Sequence, residues 1–499
     1  MRREAGLLLH PTSLPGPYGI GDFGPDTTRF LDWARDAGQS LWQVLPLGPI
    51  AFANSPYASV SAYAGSPLFI PPDRLREEGL LPPDAIRDVP SFPAERVAYD
   101  RVIPWKDALL RASWAHVRER GPSWVKSELE RFRSAPEQAD WLPDWTLYSA
   151  IKGARGGSDW TAWEPPLRRR DPKALAEAAD SHRDETDYQA YLQCLFFRYW
   201  EEARRVAHAR GISLVGDAPI YVTMDSADVW ANPELFQLDD ALRPIDVAGV
   251  PPDYFSESGQ RWGSPLYRWD RMEADGFRWW IRRIRAELRK CDVLRIDHFR
   301  AFEAYWAIPA AEKTAVRGRW EPGPGIRLFR ALEAALGTLP LIAEDLGDID
   351  DGVRTLLAKT GLPGMRVLQF GLDDPTSTHH PSNHVENAVA YTGTHDNDTA
   401  RGWFAALPGE ARAAVLRSLG SDGREIEWDM IRVALDSPAA RAIVPVQDVL
   451  GLGSAARMNT PSKTGGNWEF RVAPGALTSE RAARLRALAQ TNGRRARTA

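Results

Sequence analysis

The feature that most constrains the fold is a short apolar run that recurs along the chain and ends each time in a polar or glycine-rich loop. Such runs are typical of strands buried on both faces, as in a parallel sheet. Helical patterns lie between several of them, for example over 188–209 and 276–288, and this alternation indicates βα units. The runs are at residues 6–10, 41–46, 212–217, 293–297, 341–345, 366–370, 388–393 and 442–446. Their number predicts an α/β fold, a (β/α)8 TIM barrel.

The uneven spacing of the runs predicts how this barrel is elaborated. Residues 48–211 and 218–292 are too long for simple crossovers, so we expect inserted, mainly helical subdomains there. Residues 476–499 are expected to form a C-terminal helix and a solvated basic tail (Arg494, Arg495 and Arg497), with no separate C-terminal β domain. The chain is therefore predicted to be a single elaborated catalytic barrel over residues 1–499.

Composition excludes several classes of partner. The net charge of −5 and a pI near 6.1 give no basic footprint for nucleic acid. No stretch approaches the ~20 apolar residues of a membrane span, and the first apolar run stops after Leu9, too early for a secretion signal. The two cysteines, Cys194 and Cys291, cannot supply a disulfide framework. We therefore expect a soluble, cytoplasmic protein that binds neither nucleic acid nor membrane.

Aromatic residues give the first indication of a substrate class. The chain has 20 Trp, 17 Phe and 13 Tyr. Most belong to a large core, but several lie in loop-like segments such as DYFSESGQRWG and TGGNWEF. Rings in loops present flat apolar faces that suit the apolar faces of sugars, so carbohydrate is a candidate ligand.

Polar residues follow the apolar runs, where the carboxyl ends of barrel strands place catalytic groups. They are His10, Asp217, Asp297, Glu344, His395, Asp396 and Asp448. In VLRIDHF, Arg295 and Asp297 are two apart and share one face of the strand. A guanidinium beside a carboxylate lowers the carboxylate pKa and keeps it ionised, as a nucleophile requires. A purely structural Arg–Asp pair is the alternative.

Glu344 and His395–Asp396 follow two further runs. Glu344 comes after a strongly apolar strand, so we expect a raised pKa and a proton to donate; the alternative is a helix N-cap, for which Asp345 is the better candidate. In YTGTHDNDT, His395 and Asp396 could close on sugar hydroxyls, or Asp396–Asp398 could form a simple Asx turn. Two carboxylates in unlike surroundings are typical of glycoside chemistry.

Taken together, these segments resemble the amylomaltases, the 4-α-glucanotransferases of glycoside hydrolase family 77 in the α-amylase clan. The matching segments include GLLLHPTSLPGPYGIGDFG, NSPYASVSAYAGSP, GDAPIYV, AGVPPDYFSESGQRWGSPLY, LRIDHFRAFEAYW, IAEDLG, YTGTHDNDT, PVQDVLGLGSAARMN and GNW. The resemblance implies a (β/α)8 barrel that transfers α-1,4-glucan segments between glucan chains. It implies no metal and no organic cofactor.

The resemblance also implies individual roles. Asp297 would be the nucleophile, Glu344 the general acid/base, and Asp396 the carboxylate that holds and distorts the donor sugar. Other substrate-binding positions would be Tyr57, Asp217, Arg295, His395 and Asn467, with Tyr254, Phe255 and Trp262 in a loop over the acceptor side.

Three other functions remain open from the residues alone. An α-glucan hydrolase or debranching enzyme of the same clan would use the same carboxylates. A metal-dependent barrel hydrolase could take ligands from His298, His395, His379 and His380, although surface or core histidines are commoner. A non-catalytic glucan-binding protein would keep the aromatic residues but not the three carboxylates.

Overall fold

The computed structural model describes residues 2–252 and 256–494 of the chain. The strands in these residues are β1 (Glu4–Leu8), β2 (Leu41–Gln43), β3 (Ser213–Ala218), β4 (Asp246–Val250), β5 (Gln260–Pro265), β6 (Val293–Ile296), β7 (Ala304–Pro309), β8 (Arg319–Pro322), β9 (Leu341–Ala343), β10 (Gly364–Val367), β11 (Ala388–Tyr391) and β12 (Arg441–Pro445).

The α-helices of the described residues surround these strands and fill the long connections. They are α1 (Pro25–Asp36), α2 (Pro72–Glu77), α3 (Tyr99–Arg120), α4 (Ser123–Ser134), α5 (Leu142–Ala154), α6 (Pro165–Arg168), α7 (Pro172–Ser181), α8 (Arg183–His208), α9 (Ala227–Ala231), α10 (Trp269–Ala274), α11 (Arg278–Lys290), α12 (Ile326–Leu336), α13 (Asp351–Thr360), α14 (Ala400–Ala406), α15 (Gly409–Leu419), α16 (Ile426–Asp436), α17 (Val446–Val449) and α18 (Ser479–Thr491).

The central sheet confirms the predicted barrel. Eight parallel strands follow one another in the order β10-β11-β12-β1-β2-β3-β6-β9, and each coincides with one of the eight apolar runs. The two end strands also meet, because the Ala343 amide donates a hydrogen bond to the Pro363 carbonyl at 3.0 Å. All side chains of β1, β2, β3 and β6 are buried, which explains why these strands show no polar alternation.

The connection between β2 and β3 carries the helices α2–α8. The longest of them, α8, begins with the acidic residues Asp184 and Glu185 and ends near Arg205 and His208, charges that complement the helix dipole. Its inner face packs on the barrel, where the Trp200 indole donates to the Lys290 carbonyl at 2.8 Å. This long connection is therefore attached to the barrel wall through buried aromatic residues.

A second sheet is formed by the strands that precede and follow β6 along the chain. It was not predicted from the sequence. Its four antiparallel strands have the order β5-β4-β7-β8. Strand β7 begins seven residues after Asp297, and β5 carries Trp262. The sheet therefore connects the strand that carries Asp297 with the segment predicted to cover the acceptor side.

The C-terminal segment packs against the barrel. Helix α18 contacts α1 and α16, and no strand follows β12 within the described residues. Arg494 is 1% exposed and donates five side-chain hydrogen bonds, to the carbonyls of Leu435, Glu4, Ala440, Ser437 and Ala439. The expectation of a solvated Arg494 is therefore wrong, because this guanidinium binds the backbone where β1 and β12 begin. Arg495 and Arg497 lie outside the described residues.

We expect Arg494→Ala to lower the free energy of unfolding by about 2–4 kcal/mol, because several buried carbonyls would lose their donor. Guanidinium-induced unfolding measures the change. Arg486→Ala, at an exposed position of the preceding helix α18, is the matched control and should change stability by less than about 0.5 kcal/mol. An equal effect of the two substitutions would contradict a structural role for Arg494.

The described residues contain no helix both long and apolar enough to cross a membrane. Both cysteines, Cys194 and Cys291, are buried free thiols. Burial raises the pKa of each thiol to about 12, so neither is a reactive thiolate near neutral pH.

Candidate active site

A buried guanidinium joins two carboxylates at the carboxyl ends of β3 and β6. These strands pair in register, with Asp217 opposite Arg295. Arg295 Nη1 donates to both carboxylate oxygens of Asp217 at 2.9 and 2.8 Å, and Arg295 Nη2 lies 2.9 Å from Asp297 Oδ1. The Tyr57 hydroxyl donates to Asp217 Oδ2 at 2.7 Å. The Arg295 guanidinium of β6 thus contacts Asp297 at the end of its own strand and Asp217 on the neighbouring strand.

The pKa of Asp297 is shifted in the direction opposite to the prediction. Burial raises it to about 6, although the Arg295 guanidinium acts to lower it. The prediction considered Arg295 alone. In the structure Arg295 also serves Asp217, whose negative charge acts to raise the pKa of Asp297. Asp297 is still mostly ionised near pH 7.

Glu344 follows β9 and faces backbone donors. Its Oε2 accepts a hydrogen bond from the His298 amide at 2.6 Å, and its Oε1 accepts one from the Leu346 amide at 2.8 Å. Burial, and next the charge of Asp297, raise the pKa of Glu344 to about 8. The predicted upward shift is confirmed, and Glu344 is mostly protonated near pH 7.

The helix-cap alternative does not hold for this segment. The Asp345 carboxylate accepts from the Met365 amide at 2.6 Å and pairs with Arg366 at 3.3 Å. Asp350, not Glu344 or Asp345, caps the next helix, α13, through the Val353 amide at 3.0 Å.

His298 directly follows Asp297 in the chain and donates its backbone amide to Glu344. Its backbone is left-handed, with φ of 54°, a conformation that costs a non-glycine residue energy and is found where function needs it. This conformation accompanies the hydrogen bond from the His298 amide to Glu344, directly after Asp297. The His298 ring lies 4.8 Å from the Trp262 ring in an edge-to-face contact. Trp262 is 41% exposed and brings an indole face to this side of the site.

Asp396 has a third, different environment. Its Oδ2 lies 3.2 Å from His395 Nε2, and its Oδ1 accepts from Asn459 Nδ2 at 2.6 Å. Burial acts to raise the pKa of Asp396, but the charge of His395 and the hydrogen bonds from His395 and Asn459 outweigh it and hold the pKa well below its usual range. The Asx-turn alternative does not describe Asp396, whose carboxylate pairs with His395 and Asn459. The Asn397 side chain instead accepts from the Thr394 amide, three residues earlier, at 2.9 Å.

Aromatic rings form a wall beside this carboxylate. Tyr57 stacks on His395 with 5.0 Å between ring centroids, and Trp468 lies 5.8 Å from Tyr57 and 6.0 Å from His395. Sequence reasoning did not single out Trp468 or Asn459. Trp468 lies in GNW and Asn459 lies in ARMN, two segments that carry the family resemblance. Their place in these segments is the sequence signal that could have identified them as site residues.

The remaining predicted substrate-binding residues are Asn467, Tyr254 and Phe255. The Asn467 amide bonds its own loop, with Nδ2 donating to the Thr460 carbonyl at 3.3 Å and to the Lys463 carbonyl at 2.8 Å. Its role in substrate binding stays a prediction. Tyr254 and Phe255 lie outside the described residues.

Two further strand-end residues have structural partners. His10 Nδ1 accepts from the Leu45 amide at 3.3 Å, and burial lowers the pKa of His10 to about 3. Asp448 accepts from the Thr392 hydroxyl at 2.6 Å and from the Ala400 amide at 2.7 Å.

In the described part of the chain, no group of three or more His, Cys, Asp or Glu residues could hold a metal ion. The histidines considered as ligands have other neighbours. His395 pairs with Asp396, His379 accepts from the Val367 amide at 3.2 Å, and the His380 ring contacts the Ser382 hydroxyl at 2.7 Å.

The strand ends of this TIM barrel bring together an ionised carboxylate, a protonated carboxyl group and aromatic rings. This combination is typical of barrel enzymes that cleave glycosidic bonds. The family model described as 4-alpha-glucanotransferase, glycoside hydrolase family 77, matches residues 9–478, and the chain belongs to this family.

Individual relatives agree with the family. A 4-alpha-glucanotransferase of Thermus thermophilus is 47% identical over 99% of this chain and 99% of its own length. The 4-alpha-glucanotransferase of Synechocystis sp. is also 47% identical, over 99% of this chain and 98% of its own. The structure of the amylomaltase of Streptococcus agalactiae in complex with acarbose superposes with a TM-score of 0.95 at 37% identity, covering 99% of this chain and 100% of that chain.

Proposed function

We propose that this chain transfers α-1,4-glucan segments from a donor glucan to the 4-hydroxyl of an acceptor glucan or glucose, by a retaining double displacement. The observation that carries the proposal is the pair Asp297 and Glu344. Near pH 7 Asp297 is mostly a carboxylate, whereas burial keeps Glu344 mostly protonated. Two carboxyl groups with separated pKa values are the nucleophile and acid of a glycosidase-type reaction.

In the first step Glu344 gives its proton to the glycosidic oxygen while an Asp297 oxygen attacks the anomeric carbon. The bond to the leaving chain breaks, and a covalent β-glucosyl ester forms on Asp297. In the second step Glu344, now a carboxylate, takes the proton of the acceptor 4-hydroxyl as that oxygen displaces Asp297. Retention requires the carboxyl groups to be about 5–5.5 Å apart.

Asp396 is the group that holds the donor sugar. With its pKa held low it stays a carboxylate throughout, and it accepts hydrogen bonds from sugar hydroxyls beside the ring wall of Tyr57, His395 and Trp468. On the acceptor side, Trp262 of β5 lies against His298 and favours a sugar acceptor over water.

The test is incubation of the purified protein with maltotriose, with separation of products by length and measurement of total reducing ends. Transfer gives glucose and a ladder of longer maltooligosaccharides at a constant number of reducing ends. A rise in reducing ends with only shorter products would show a hydrolase of the same clan. No reaction with any α-glucan would leave the binding-protein alternative.

The pH dependence of kcat/KM for maltotriose should be bell-shaped. Activity falls at low pH because Asp297, with a pKa of about 6, takes up a proton and can no longer attack. It falls at high pH because Glu344, with a pKa of about 8, loses the proton it must donate. Initial rates between pH 4.5 and 9.5 measure both limbs, and a profile that stays flat through pH 8–9 would contradict the role of Glu344.

The reducing cytoplasm is the proposed location. Its support is that both cysteines are free thiols buried in the protein, a usage that suits a reducing compartment. Fractionation of cells that make the protein, with an activity assay on each fraction, tests the location.

A further inference from the structure

The segment 457–459 is attached to the loop that carries Asp396 by three hydrogen bonds. Arg457 Nη2 donates to the Asp396 carbonyl at 2.5 Å, and the Asn459 amide nitrogen donates to the His395 carbonyl at 3.1 Å. Arg457 Nε also donates to the Asn459 carbonyl at 2.6 Å, so that the Arg457 side chain bridges the backbones of both segments. The third bond between the two segments is from Asn459 Nδ2 to Asp396 Oδ1 at 2.6 Å.

The bond from Asn459 is the one that acts on the carboxylate itself. Of the two Asp396 oxygens, Oδ2 faces His395 and Oδ1 faces Asn459. The carboxylate is thereby held on one side by the His395 ring and on the other by the Asn459 amide. Asp396 is 43% exposed at its side chain, so this fixed carboxylate remains open to a ligand.

We infer that Asn459 is a positioning residue that holds Asp396 in its sugar-binding orientation, and that Arg457 fixes the loop from which Asn459 acts. The inference rests on the function proposed above, since it assigns a purpose to Asp396. Asn459 contributes by donating a hydrogen bond to a charged acceptor, a bond stronger than one between neutral groups.

Replacing the Asn459 amide with a carboxylate tests whether Asn459 acts through its hydrogen bond to Asp396 or only through the space that its side chain fills. Asn459→Asp keeps the size of the side chain but replaces the donor with a second carboxylate about one hydrogen-bond length from Asp396. Near neutral pH the two charges repel, whereas at lower pH one shared proton restores the hydrogen bond. The other charged or titratable groups facing Asp396 are His395, Arg295, Asp297 and Tyr57.

The experiment measures kcat and KM for maltotriose in the wild type and the variants between pH 5 and 8.5. We expect Asn459→Ala to lower kcat/KM by about 10- to 100-fold, with the same ratio to wild type at every pH. For Asn459→Asp that ratio should be lowest at pH 8.5 and rise at least about tenfold toward pH 5. Taking the ratio removes the pH dependence that Asp297 and Glu344 impose on both proteins.

Two further variants complete the test. Asn383→Asp is the matched control, because Asn383 is an exposed residue whose amide donates to the Pro375 and Ser377 carbonyls far from the carboxylates; its kcat/KM ratio should stay near one. Asp396→Asn distinguishes the role of Asp396 in sugar binding from the role of Asn459 in positioning it. Loss of activity in Asp396→Asn with wild-type ratios in both Asn459 variants would overturn the inference alone. A fully active Asp396→Asn would overturn the proposed role of Asp396 itself.

Discussion

Asp297→Asn is expected to lower the rate of glucan transfer by about 10⁴- to 10⁶-fold, the range seen when the central groups of a covalent mechanism are removed. The amide is nearly the same size as the carboxylate and can remain beside Arg295, but it cannot attack the anomeric carbon. The measurement is the initial rate of glucose release from maltotriose at pH 7, with circular dichroism to show that the variant is folded.

Asp448→Asn is the control for this substitution. It changes another buried strand-end carboxylate, one whose oxygens accept from the Thr392 hydroxyl and the Ala400 amide. We expect Asp448→Asn to lower the melting temperature and to keep the transfer rate within about tenfold of wild type, because only structural hydrogen bonds change. If Asp297→Asn retained more than a hundredth of the wild-type rate, another residue would have to be the nucleophile.

The barrel could be predicted from the sequence because its strands are buried on both faces. A run such as VLRI in β6, with every residue buried, has no solvent-facing side and appears as an unbroken apolar segment. Each strand ends within a few residues of the end of its run.

The antiparallel sheet could not be found in the same way. Strand β5, QRWGSP, is mostly half-buried or exposed, and β8, RWEP, is largely exposed. Both contain Pro, and β5 contains Gly, residues depleted in strands. These segments are held as strands by pairing with β4 and β7, the two central strands of the sheet. Tertiary pairing, not local pattern, determines their conformation.

The site was predictable as a set of strand-end carboxylates but not in its electrostatics. The partner of Asp396 is Asn459, 63 residues further along the chain, and no periodicity relates them. The pKa of Asp297 required knowledge of burial and of Asp217 across the strand pair, because a sequence shows Arg295 nearby but not how many carboxylates share it. Such quantities depend on three-dimensional proximity, which spacing along one strand does not supply.

Glu344→Gln should lower transfer from maltotriose by about 10²- to 10⁴-fold, the usual contribution of a general acid–base group. The same variant should react at near wild-type rate with α-maltosyl fluoride in the first step. Fluoride leaves without a proton, so Asp297 still attacks while the C–F bond breaks. The glucosyl ester should then accumulate, because no base is left to deprotonate the acceptor hydroxyl, and mass spectrometry should show one maltosyl group per chain on the peptide containing Asp297. Azide, which needs no base, should release it as the α-azide. A slow initial burst of fluoride from Glu344→Gln, before the ester has accumulated, would contradict the assignment, because the first step with this donor uses only the nucleophile.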